Sequence, residues 1–253
     1  GLSPDAATGG IMLPVMAGSM HQAGLPIVKG GAANFVRAFQ ELLESQGVHI
    51  VTGERIDQVN LEQDRAVGVR TAKGNQFGAS EGVFVSTGAK ALYEDLLPQV
   101  QALEPARQEV RSFQSGRGAV QVHLTLSGSV PWLIDELKTT PLIHVSDGSD
   151  STAIACAQAE AGYLPTRPTI VVGQQHVLDP SRVPEGAATL WLQLQEAPYR
   201  PLGDSAGVID VSRGWSDTVK EQYLSRVLDV LEEFAPGLSS LVQGSIVISP
   251  VDL

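Results

Sequence analysis

The sequence predicts an α/β chain of the α+β type, in which a few strong helices accompany short strands joined by tight turns. Three patterns carry this. Apolar residues recur every three or four positions in residues 32–43 and 219–234, they recur every second position in residues 119–126 and 189–194, and five short β-rich runs lie between residues 48 and 86. Of the 253 residues 43% are hydrophobic and 18% charged, which supplies apolar surface for a buried core and too little charge for disorder.

Residues 1–29 mix Gly, Pro, Ala and Met with no sustained period of 3.6 or 2, and read as irregular segments with a short helix. Beyond them Ala32, Phe35, Val36, Phe39, Leu42 and Leu43 form one stripe, with Asn34, Arg37, Glu41 and Glu44 opposite; this is an amphipathic helix that Gly47 closes. Runs at 48–51, 55–61, 66–72, 76–79 and 83–86, separated by turn residues at 62–64 and 73–75, predict a small antiparallel meander. Residues 92–97 and 104–110 read as short helices, the first ended by Pro98. Residues 119–126 put Val120, Val122, Leu124 and Leu126 on one face and Gln121, His123 and Thr125 on the other, as a half-buried strand requires. An Ala-rich helix over 151–161 has Asp150 or Ser151 as its cap and Gly162 as its stop. Strands follow at 169–173 and 189–194. The strongest helix spans 216–235, with Thr218 and Glu221 as a capping box and Pro236-Gly237 as its end, before a last strand at 244–249.

Charge and cysteine usage exclude several classes. Seventeen Lys and Arg stand against 28 Asp and Glu, a net −11 that repels nucleic acid and anionic membrane surfaces. Cys156 is the single cysteine, so neither an internal disulfide nor a Cys-rich metal site is available, and a reducing, cytoplasmic setting is expected. The longest early apolar run, 11–17, is broken by Pro14 and is far too short to span a bilayer, which predicts a soluble chain. No positive region precedes Lys29, as a signal peptide would need, and the start at Gly1 suggests a piece of something longer.

Few local motifs carry chemistry. Gly203-Asp204-Ser205-Ala206-Gly207 matches the G-x-S-x-G nucleophile pattern, yet prolines precede it, a β-like run follows, and no histidine comes after His176, so an ordinary Gly-rich loop is the better reading. His21, His49, His123, His144 and His176 lack metal-ligand spacing, and no metal is expected. His123 shares a strand face with Gln121 and Thr125, which either lines a cavity or is a polar surface. Asp147, Ser149 and Asp150 miss the EF-hand pattern. Neither a P-loop nor G-x-G-x-x-G is present; Gln121 stands where a third glycine after Gly116 and Gly118 would be needed. Lys29-Gly30-Gly31 opens the first long helix, where bare amides could receive an anion or a flat ligand, or where the glycines simply make a tight entry.

Several patterns then fall in a familiar order. Ile27-Val28-Lys29-Gly30-Gly31 before a long helix is followed by Gly47-Val48-His49-Ile50-Val51-Thr52, Ile56 and Val59, and Ala66-Val67-Gly68-Val69. Gly118-Ala119-Val120-Gln121-Val122-His123-Leu124, the loop from Leu178-Asp179-Pro180-Ser181 to Pro184-Glu185-Gly186, Ala197-Pro198-Tyr199, Leu231 to Gly237, and Ile248 to Leu253 complete the series. In these motifs nearly the whole chain resembles the phytoene-desaturase-like FAD-dependent oxidoreductases, within them the pyridine nucleotide-disulfide oxidoreductase domain branch.

The resemblance implies a mixed β-sheet substrate domain covered by helices, plus a meander belonging to an FAD-binding domain. It divides the chain into an entry at 1–30, a helix and meander of the FAD-binding region at 31–97, and a substrate-binding domain at 98–253. It implies FAD in a longer parent, poorly or not retained by this chain, because the family's opening fingerprint and closing Gly-rich segment are not in it. An apolar organic substrate, the FAD-binding segments of the same protein and a second copy of the chain are the implied partners. Lys29, Gly30, Gly31, Ile56, Thr87 and Gly88 are the implied cofactor-side residues, with no acid or base named, because the flavin takes the hydride or electrons. Ile27-Val28 replaces the family's Tyr-Pro, and Ser86-Thr87-Gly88-Ala89-Lys90 its Ser-Asn-Ala-Asp-Pro. A non-catalytic ligand-binding or interaction module derived from the same fold is the rival reading.

Overall fold

The computed structural model describes residues 9–113 and 116–253. Its α-helices are α1 (Gly9–Ala23), α2 (Ala32–Ser45), α3 (Glu104–Ser112), α4 (Ser149–Glu160), α5 (Asp217–Glu232) and α6 (Leu238–Leu241). Its strands are β1 (Ile56–Glu62), β2 (Arg65–Thr71), β3 (Gln76–Gly78), β4 (Gly118–Leu126), β5 (Leu142–Val145), β6 (Tyr163–Leu164), β7 (Ile170–Gly173), β8 (Ala188–Ala197), β9 (Gly203–Asp204) and β10 (Val242–Ile248). Two compact units result: one runs to Arg37 and resumes at Gly116, and the other takes the residues between. The α+β class read from the sequence holds. Pairing is antiparallel within a three-stranded and a five-stranded sheet, and parallel between β6 and β9.

In the first unit the five-stranded sheet has the order β10-β4-β8-β7-β5, and every neighbouring pair is antiparallel. Alternation along β4 and β8 decides its two faces. Val120, Val122, Leu124 and Leu126 with Leu190, Leu192 and Leu194 are buried in one cluster, which also takes Val219, Tyr223, Val227, Val230 and Leu231 of α5. Each fully buried Leu or Val contributes roughly 1.5–3 kcal/mol relative to exposure, so this layer dominates the unit's stability. The helix that seals it starts where Ser216 accepts a hydrogen bond from the Val219 N–H. Beside it, β9 presents Asp204 to Arg226 in a two-armed ion pair, both bonds 2.7 Å, with the Asp204 side chain only 1% exposed. The same carboxylate accepts the N–H groups of Val208 and Ile209.

The second unit holds the β1-β2-β3 meander. Gln63 and Asp64, both with positive φ, make the two-residue turn that joins β1 to β2, the backbone sense that matches strand twist. At Gly68 a Cβ would lie 2.2 Å from the Phe77 carbonyl oxygen, so β2 approaches β3 there only because the side chain is missing. After the meander, residues Ala91–Leu96 form a π-helical turn. Arg107 of α3, 1% exposed, donates to the carbonyls of Tyr93, Leu97 and Pro98, which satisfies acceptors that a helix end leaves bare.

Several expectations need correction. Residues 9–23, expected to be largely irregular, form α1; its residues from Gly10 on are exposed, so no burial stripe could announce it, and the part of that expectation at 1–8 lies outside the described residues. Runs 48–51 and 83–86 are not strands, because among the described residues no partner strand takes up their backbone groups, and Val48, Ile50, Val51 and Phe84 are exposed. The cap of α5 is Ser216 and not Thr218. The cap of α4 is Gly148, without a side-chain bond from Asp150 or Ser151. Among the described residues no helix is long and apolar enough to cross a membrane.

The Asp204–Arg226 pair gives a pH signature. Burial alone would raise the Asp204 pKa, but the Arg226 guanidinium and the two N–H groups outweigh it and hold the group at about 2, below its ordinary 3.8. A depressed folded pKa contributes stability that is present above the unfolded value and lost as pH falls through the folded one. The expected loss is on the order of 2 kcal/mol between about pH 5 and pH 2. Urea unfolding at several pH values should show Asp204→Asn lacking that share of the acid slope, while Asp204→Ala costs about 3–5 kcal/mol at neutral pH. An unchanged slope in Asp204→Asn would refute the assignment.

Candidate functional site

The outward face of the five-stranded sheet carries the side chains that the core face rejects. Register places His123 of β4 opposite Trp191 of β8, Trp191 opposite Gly173 of β7, and Ile246 of β10 opposite His123. These four positions form one row across four strands. A Cβ on Gly173 would come within 2.8 Å of Trp191 Cε3, so the bare glycine is what lets the indole lie against β7. Above the row opens a cleft of about 670 Å³, lined by Gly30, His123, Gln175, Ser181, Arg182, Thr189 and Trp191. All belong to the first unit.

The rim is built by a clasp between two segments far apart in sequence. Residues 28–31 turn back on themselves, with the Gly31 N–H donating to the Val28 carbonyl and Asn34 Nδ2 to the Lys29 carbonyl. Gly30 has φ +77°, a backbone sense that favours glycine, and a Cβ there would displace the Asn34 side chain, whose Nδ2 lies 2.6 Å from that position. Its N–H donates to Asp179 Oδ2 at 2.6 Å. Ser181 Oγ donates to Asp179 Oδ1, and Arg182 donates through Nε to Asp179 and through Nη2 to the Val28 carbonyl. The Ser181 hydroxyl and the Gly30 N–H, helped by Arg182, hold the Asp179 carboxyl at about 2 against the upward push of burial. Next to Gln175, burial pushes His176 below its ordinary pKa, against an opposing backbone hydrogen bond at Thr189, and so favours the neutral imidazole.

The structure brings some expected residues together and separates others. Lys29, Gly30 and Gly31 sit on the clasp, at the start of α2. The Gly30 N–H that the sequence offered to an external anion is occupied by the protein's own Asp179. Ile56 opens β1 opposite Thr71, and Thr87 and Gly88 lie exposed in the loop before the π-helical turn, where the Gly88 carbonyl accepts from the Leu92 N–H; these three belong to the second unit. His123 lines the cleft. Asp179, Arg182, Gln175 and Trp191 were missed as site residues, although the loop at 178–186 and the alternation of 189–194 were both visible. Ser205 lies in a turn after β9, with no helix starting directly from it, and Asp204 beside it is committed to Arg226, so no nucleophile elbow forms. Among the described residues no group of three or more His, Cys, Asp or Glu could hold a metal.

The glycine turn also answers a cofactor question. A pyrophosphate cradle needs unengaged N–H groups, whereas the Gly30 and Gly31 N–H groups both donate within the protein. Gly30 and Gly31 therefore do not make that cradle. What the cleft offers is a ligand platform: an indole, an imidazole, and several hydrogen-bonding groups on a rigid sheet.

No protein-family model matches the chain. It is 22% identical to the pyridine nucleotide-disulfide oxidoreductase domain-containing protein 2 of Rattus norvegicus, over 97% of this chain and 43% of the relative. It is 22% identical to the 4,4'-diapolycopen-4-al dehydrogenase of Metabacillus indicus, over 92% of this chain and 42% of that protein. An oxidoreductase from Methanosarcina mazei superposes with a TM-score of 0.60 at 18% identity, over 92% of this chain and 46% of the other. These similarities bear out the resemblance read from the motifs, and the fold is of the oxidoreductase type. The chain spans less than half the length of the curated relatives it matches.

If Asp179 pins the turn, Asp179→Ala should release it while the sheet stays intact. Hydrogen exchange of peptides covering residues 28–31 is expected to rise by at least about tenfold, with β4 and β8 peptides unchanged. Equal protection in both proteins would show that the turn stands without the carboxylate.

Proposed function

We propose that this chain is the substrate-binding and central portion of an FAD-dependent oxidoreductase of the phytoene dehydrogenase and amine oxidase type. That enzyme moves a hydride or electrons from an apolar organic substrate to flavin. The observation that carries the reading is the cleft on the outward sheet face, with Trp191 and His123 as floor and the Asp179-pinned glycine turn as rim, in a fold shared with an oxidoreductase.

In this reading the flavin, bound mainly by other segments of the same protein, supplies the redox chemistry. Residues of this chain bind and orient the substrate and exclude water. Residues 98–253 serve as substrate domain, 31–97 as the helix and meander of the FAD-binding region, and 1–30 as entry. Lys29, Gly30 and Gly31 stand at the substrate entrance, and Ile56, Thr87 and Gly88 on the cofactor side. The exposed stripe of α2, with Val36, Leu42 and Leu43 at 64%, 55% and 40%, is where the remaining FAD-binding segments pack. A single buried cysteine, Cys156, suits the cytoplasm.

The test uses protein expressed from the uncut gene. Intact mass and visible absorbance between roughly 350 and 500 nm are expected to reveal a flavin-coloured polypeptide longer than this chain. The 253-residue chain mixed with FAD should emerge from gel filtration colourless, for want of a pyrophosphate cradle. A colourless product of the uncut gene would overturn the reading in favour of a non-catalytic binding module.

A further inference from the structure

The cleft is unusual for a site meant for a plain hydrocarbon. Among the described residues, neither ring nitrogen of His123, nor Gln175 Nε2, nor Arg182 Nη1 has a hydrogen-bond partner. All three side chains line the cleft. The one carboxylate of the clasp is already spent: Asp179 Oδ1 accepts from Ser181, and Oδ2 from Gly30 and Arg182. Thr189 Oγ1 donates to the Leu124 carbonyl. These side chains thus leave N–H donors available to a ligand, and the Arg182 guanidinium carries a permanent positive charge.

Beside these donors runs an apolar strip. The row Ile246, His123, Trp191, Gly173 crosses four strands, three spacings of about 4.8 Å or roughly 14 Å in all. Ile246 is 64% exposed on that row. A ligand that satisfies both features has an extended apolar body and an oxyanion at one end.

We infer that the cleft binds an apolar chain ending in a carboxylate, the carboxylate taken by Arg182 with Gln175, and the chain lying across Trp191 and His123 toward Ile246. This rests on the reading of residues 98–253 as a substrate domain and deepens it by naming the substrate class. A carboxylate received by a guanidinium makes charge-assisted hydrogen bonds that the matching ester cannot make. The exposed apolar faces of α1 and α2 also attract apolar molecules, but they take acid and ester alike, so the difference between the two reports on the cleft.

The experiment titrates the 253-residue chain with cis-parinaric acid and, separately, with its methyl ester, following polyene fluorescence below the critical micelle concentration. The free acid is expected to bind at least roughly tenfold more tightly than the ester. Arg182→Gln should abolish that preference. Because Arg182 also holds the 28–31 turn, Gln175→Leu, which touches no clasp bond, is the second variant and should reduce the preference severalfold. Equal affinity for acid and ester, absence of binding by both, or a preference that survives in Arg182→Gln would each overturn the inference. Flavin absorbance of the uncut gene product is independent of this titration, so a failed carboxylate preference and a failed flavoenzyme reading are told apart.

Discussion

Two-residue alternation in the pairing of β4 with β8, regular from Val120 to Leu126, is the constraint on which the first unit depends. Val122 faces Leu192 across the pair on the core side, and His123 faces Trp191 on the outward side. A slip of one residue would send Leu124 and Leu190 to water and press His123 and Trp191 against α5. Losing even a few buried leucines costs several kcal/mol, a large fraction of a domain's net stability. The core therefore dictates where the polar row lies, and the cleft is the reverse side of a packing requirement.

Rigid floor and clasped rim then play different parts. The sheet holds His123, Trp191 and Thr189 in fixed relation through backbone pairing, while the rim is tied by four side-chain hydrogen bonds converging on or beside Asp179. A glycine at 30 is favoured by its left-handed backbone, and Asn34 folds back into the space a Cβ would take. An internal carboxylate at this N–H occupies the place where a bound anion would sit, and turns a potential anion site into a structural tie between loop and helix.

The second unit shows another balance. Its meander is held by backbone pairing and by the close passage of β2 past β3 at Gly68, and Arg107 supplies donors to the carbonyls around the π-helical turn. Apolar residues of α2, by contrast, remain exposed although their spacing is that of a buried stripe. A helix with this pattern stabilises a protein only when the stripe is covered, which is the physical basis for assigning it a packing partner.

Much of the fold was legible because burial on one side writes a period into the chain. The alternation of residues 119–126 and 189–194 and the stripe of residues 219–231 placed β4, β8 and α5 within a few residues. The two-residue turn after β1 and the stop at Gly162 followed from local backbone chemistry. By itself the sequence also determined the absence of a pyrophosphate fingerprint and the resemblance carried by ordered motifs. It did not reveal α1, which buries no face, nor that runs 48–51 and 83–86 would find no neighbouring strand, since pairing is settled by partners elsewhere in the chain. Only tertiary structure decided that Asp179 reaches back 149 positions to the Gly30 N–H and that Arg182, Gln175, His123 and Trp191 share one cleft. Hydrogen bonds and cavities between distant segments leave no period in sequence, because they depend on where the folded core has already carried each segment.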